Sequence, residues 1–113
     1  MATIAAVLVD KGAGYRLWKW ETLTATNNEG SAVDVRKYRD KTVQIIGTLG
    51  AGSVTIEGSI DNGTTWATLN DPQGNALATI NALKIEAILE GVTHIRPTVA
   101  AGTTDVDVWL LVA

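Results

Sequence analysis

The 113-residue chain has no cysteine and no phenylalanine, one histidine, one methionine and two prolines. Without cysteine there is no disulfide framework, no thiolate metal ligand and no thiol nucleophile, and the redox compartment stays undetermined. One histidine, His94, excludes a His-based metal cluster within one protomer. Three copies on a threefold axis would make a ligand set, but a strand histidine bonded to a neighbour is the simpler reading. Charge is sparse at 19% with a net −3, against about 25% in an ordinary domain. That balance disfavours a nucleic-acid or anionic-membrane surface. No run approaches the roughly 20 apolar residues of a membrane helix. The apolar opening Met1–Val9 lacks a basic flank and meets Asp10-Lys11 too soon for a signal peptide, so cytoplasmic synthesis is expected. Hydrophobic residues, at 46%, are plentiful for a one-domain chain. Disorder is excluded, and the apolar surface exceeds what a small monomer easily buries.

Period-two alternation dominates. Val43 and Ile45 alternate with Thr42, Gln44 and Ile46; Val54 and Ile56 with Ser53, Thr55 and Glu57; Val106, Val108 and Leu110 with Asp105, Asp107 and Trp109. Such runs of branched residues place one set of side chains on a buried sheet face. Asp10–Gly14, Asn27–Ser31, Leu49–Gly52, Asp61–Gly63, Asp71–Asn75 and Ala101–Thr104 read as turns. The pattern predicts one all-β domain over 1–113, an antiparallel β-sandwich or barrel, of which the sandwich is taken as the architecture. Residues 81–90 read almost equally as a short helix and as a strand; in an all-β chain a strand, or a short turn leading into one, is expected.

No enzyme signature emerges, and a chain without enzymatic activity is expected. Ser31, Ser53 and Ser59 stand in no Gly-x-Ser-x-Gly elbow, and the Gly47–Gly52 segment lacks the Lys-Ser/Thr of a phosphate loop. Asp105 and Asp107 share a strand face, which suits a solvated edge better than a cation site. Neither cofactor nor metal is expected. Trp18 and Trp20 share another face, with Arg16 and Lys19 beside them. Core packing, a subunit contact or a sugar-stacking platform would each use such a pair. The surplus apolar surface in Ala2–Val9 (Ile4 and Val7), in Trp18 and Trp20, and in Trp109–Val112 points to contact between subunits.

The segment Gly58-Ser59-Ile60-Asp61-Asn62-Gly63-Thr64-Thr65-Trp66-Ala67-Thr68-Leu69 resembles a hairpin of small phage virion proteins, the capsid decoration (cement) proteins and related head and tail components. Val43–Thr48, Val54–Glu57, Asp71–Asn75, Ile95–Pro97 and Thr103–Val108 fit the flanking pieces, so the resemblance covers about the C-terminal two-thirds. It implies a jelly-roll-like sandwich and a homotrimer on the capsid exterior of the virion, clamping neighbouring major capsid protein subunits. Residues 1–14 would then be an arm exchanged between subunits or docked on the capsid. Trp66 is expected to pack against Leu69 and fix the hairpin register. Arg96, before Pro97, is expected at a sheet edge or bulge, where it would either pair with a carboxylate of a neighbouring subunit or stay solvated. A tail, baseplate or head-fibre component and a carbohydrate- or receptor-binding β-sandwich module are the alternatives.

Overall fold

The computed structural model of the chain describes residues 3–103 and 105–113. The start of the apolar segment 2–9, and Thr104 of the 101–104 turn, lie outside the described residues. Period-two alternation becomes strand wherever it was legible. In chain order the strands are β1 (Thr3–Ile4), β2 (Val7–Gly12), β3 (Tyr15–Leu23), β4 (Glu29–Gly30), β5 (Val33–Asp34) and β6 (Lys41–Thr48). There follow β7 (Val54–Ser59), β8 (Ala67–Thr68), β9 (Ile85–Ala87), β10 (His94–Val99) and β11 (Asp105–Val112). One sheet runs β1-β4-β10-β7-β8, with β5 also on β10, and the other β2-β3-β11-β6-β9. The β1–β4 pair is parallel, and the other strand pairs are antiparallel. The fold is a jelly-roll-like β-sandwich.

The core lies between the sheets. Val43 and Ile45 of β6, Val54 and Ile56 of β7, Ile95 of β10, and Val106, Val108 and Leu110 of β11 are buried, as their alternation requires. Each such side chain contributes roughly 1.5–3 kcal/mol of burial. Trp20 is fully buried among them, and its indole Nε1–H donates to the Ser31 carbonyl at 2.8 Å.

Residues 81–90 form no helix. Ile45 donates its N–H to the Lys84 carbonyl and Ile88 donates to that of Lys41, so β9 covers an edge of β6 that a helix would leave unpaired. Ladder bonds of the sheet override local helix propensity here.

Pro97 also stands where the sequence did not place it. Strand β10 is interior, flanked by β7 on one side and by β4 and β5 on the other. Ile56, opposite Pro97, directs its N–H and C=O away from β10, to Leu77 and Leu69. The proline nitrogen therefore faces the other flank, in the gap between the β10–β4 pairing at Thr98 and the β10–β5 pairing at Ile95. An interrupted neighbour strand, rather than a sheet edge, accommodates it.

Candidate functional site

The two outward-facing surfaces of the sandwich differ in chemistry. On the sheet containing β10, Arg96 stands opposite Glu57. Its Nε donates to Glu57 at 2.9 Å, its Nη1 lies 3.1 Å from Glu29, and its guanidinium stacks 4.1 Å from the centre of the Trp66 ring. Trp66 in turn donates its Nε1–H to the Gly63 carbonyl at 3.0 Å. Asn62 and Gly63 both take positive φ in this loop, as its Asn-Gly pair allows. The Asp61 carboxylate accepts from Ser59 Oγ (2.6 Å), Thr65 N (2.8 Å) and Thr64 N (3.2 Å). Those bonds, the Ser59 hydroxyl first, hold its carboxyl down at about 2. His94 Nδ1 lies 3.0 Å from Thr93 Oγ1 on the same sheet, the hydrogen-bonded strand histidine the sequence suggested. This face is polar, and its charges are satisfied within the chain.

The face of the other sheet is apolar. One cross-strand row runs Val7–Lys19–Trp109–Gln44–Ile85, through all five strands. The next contains Leu17, Leu111, Thr42 and Ala87. Val7 is 47% exposed, Leu111 43% and Ile85 59%. Leu17, Gln44, Ile85, Trp109 and Leu111 border a shallow groove of about 400 Å³. The Trp109 Nε1 is covered yet has no hydrogen-bond partner among the described residues. A buried donor left unpaired costs about 1–3 kcal/mol. The Lys19 ammonium sits 5.5 Å from that ring's centre and pairs with Glu21.

This geometry sorts the residues singled out from the sequence. Val7 and Trp109 lie together on the apolar face. Trp18 and Trp20 share a face, as expected, but it is the inner one: Trp20 is buried and Trp18 packs against the core. Trp20 therefore offers no open ring, whereas Trp18 is half-buried and borders a cleft with Arg16, Asp34, Lys37 and Tyr38. Ile4 is half-buried against the core, on β1 beside β4. Arg96 is corrected too, since its carboxylate partners are Glu29 and Glu57 of its own chain. Trp66 stacks outside under Arg96, whereas Leu69 is buried. Of segment 1–14, the described residues pair within the chain, β1 in one sheet and β2 in the other. All of β2 is exposed, so it forms a free sheet edge.

Sequence reasoning missed Leu17 and Ile85 as parts of one surface with Leu111, which it gave only within Trp109–Val112; the signal was apolar residues at the outward positions of strands β3, β9 and β11. It also missed Asp107, which accepts the Thr22 N–H at 2.9 Å where Thr22 takes a φ of 60° at a bulge against β11. Among the described residues, no group of three His, Cys, Asp or Glu side chains is placed to hold a metal.

Comparison with protein-family models and with curated protein sequences finds no match. Among solved structures, the SPBc2 prophage-derived protein YomS is similar, with a TM-score of 0.63 and 18% identity over 92% of this chain and 98% of that one. A cupin domain from Bordetella pertussis Tohama I gives 0.51 and 15%, over 100% of this chain and 98% of that one. An RmlC-like cupin protein from Desulfovibrio desulfuricans gives 0.49 and 13%, over 98% and 82%. At these identities the likeness is one of fold: a small β-sandwich shared with a prophage-derived protein and with a cupin domain. The sequence-based exclusion of enzymatic activity is thereby corrected. A cupin domain shares this fold, so the lack of a familiar catalytic motif does not remove catalysis or metal binding from its range.

Proposed function

We propose that the chain is a phage virion structural protein of the decoration type, a homotrimer on the capsid exterior that clamps neighbouring major capsid protein subunits. The observation that carries this reading is the unpartnered apolar face through Val7, Trp109, Leu111 and Ile85. Five strands about 4.8 Å apart and eight residues of about 3.4 Å each span roughly 24 by 27 Å. That footprint, about 650 Å², is somewhat below the roughly 800 Å² that each partner gives to a standard interface. The occupant of the face in this reading is a second copy of the chain. The likeness of fold to a prophage-derived protein supports a phage setting.

A clip that binds the assembled shell stabilises it by mass action, and three linked copies add avidity. The test is the mass in solution, followed by sedimentation with purified capsids. Three times the 11.9 kDa chain mass, together with saturable cosedimentation, is expected. A monomer that never cosediments overturns the proposal, and cosedimentation with isolated tails alone moves the protein to the tail.

A further inference from the structure

Cations of this acidic chain gather at one end of the apolar sheet, with Asp10, Asp34 and Asp40 among them, while on the face itself Lys19 pairs with Glu21. Lys11, Arg16, Val112 and Lys41 form one cross-strand row at one end. The β5–β6 loop adds Arg36, Lys37 and Arg39 there, so six of the nine Lys and Arg residues gather at this end. Arg36 is engaged by Asp34 (3.0 Å) and Asn62 (2.9 Å). The side chains of Arg16, Lys37 and Arg39 have no ion-pair or hydrogen-bond partner among the described residues. Lys41 is buried, and its ammonium donates to the Arg39 carbonyl at 3.1 Å. Arg36, Lys37, Tyr38, Arg39, Lys41 and the exposed Leu89 border a cleft of about 410 Å³.

Glu21, Asp105 and Asp107 lie towards the opposite end, on the outward side, where they rim the apolar face. The eight residues of β11 put the two ends roughly 25 Å apart. That separation is about three Debye lengths at physiological salt, so the ends do not neutralise each other within one molecule.

We propose that copies associate head to tail: the apolar face of one copy, with its rim of Glu21, Asp105 and Asp107, docks on the basic cleft of the next. This rests on the self-association proposed above and names the surface that the apolar face meets. The surfaces match in kind, since Trp109 and Leu111 would meet Tyr38 and Leu89 while carboxylates meet Lys37 and Arg39. Because the two patches differ, the contact is heterologous and closes into a ring when the rotation between copies allows. A nucleic acid fits less well, because its phosphates would run on from the basic end towards the acidic rim.

Sedimentation velocity on the whole chain, at low and high salt, tests it with two charge-reversed proteins, K37E/R39E and E21K/D105K. The wild type should associate at least tenfold more weakly in high salt. Each variant alone should associate at least tenfold more weakly than wild type, and an equimolar mixture of the two should recover most of the loss. Circular dichroism should show both variants folded; Glu21→Gln with Asp105→Asn gives a milder pair should either misfold. An oligomer indifferent to salt and to every reversal overturns the head-to-tail contact but leaves self-association standing. A wild type that is monomeric at every salt concentration overturns both.

Discussion

The outer face around β10 and the one around β11 belong to the same sandwich, yet one is closed and the other open. On the β10 face, each charge has a neighbour of opposite sign or a donor: Arg96 lies between Glu29 and Glu57 over Trp66, and Asp61 is bound by its own loop. On the β11 face the central residues are Trp109 and Leu111, flanked by Leu17 and Ile85, with one indole donor unpaired. A satisfied polar face gains little by meeting another surface, because docking must first remove its water. An apolar face gains in proportion to the area it covers. The difference separates residues that hold the fold from residues available for assembly.

The largest expected effect is on the open face. Leu111→Asp should weaken self-association about 100-fold or more, the scale of an interface hot spot. It should leave the urea midpoint nearly unchanged, since Leu111 is 43% exposed in the single chain. A midpoint shift as large as the association loss would break the comparison. Next comes the closed face. Arg96→Ala removes two ion pairs and a ring stack from a largely covered site and should cost about 2 kcal/mol in urea unfolding. Association should stay as in the wild type.

A smaller effect concerns acid. Asp61 has a folded-state pKa of about 2, below its ordinary 3.8. The stability it contributes is therefore present above pH 3.8 and is lost as pH falls towards 2. Asp61→Asn should flatten the fall of the denaturation midpoint between pH 5 and 2; an unchanged slope would assign acid sensitivity to other carboxylates. The smallest effect is that of Lys19→Ala, which removes an exposed ion pair and a distant ring contact. It should change stability by no more than about 1 kcal/mol in the same urea measurement.

How far each residue was legible follows from what fixes it. Val43, Ile45, Val106, Val108 and Leu110 were readable as core because alternation alone assigns them to one side of a strand. Trp18 and Trp20 were readable as sharing a side, but which side required knowing where the second sheet lies. Arg96 shows the same limit across a longer distance, because Glu29 and Glu57 are far from it in sequence. The group of Leu17, Trp109, Leu111 and Ile85 depends on the order β3-β11-β6-β9, which no local pattern encodes.

The sequence by itself therefore determined an all-β chain, its longer strands, most of its turns (Asp10–Gly12 and Glu29–Gly30, read as turn, are strand) and an excess of apolar surface, because these depend on residue type and on the two-residue period of a strand. Tertiary structure decided that residues 85–87 pair as a strand, that Trp20 is core, that Arg96 is held within its own chain, and that Leu17, Ile85, Trp109 and Leu111 share one face with cations concentrated towards one end. Those outcomes rest on strand order and on which sheet covers which, and both arise from contacts between residues distant along the chain.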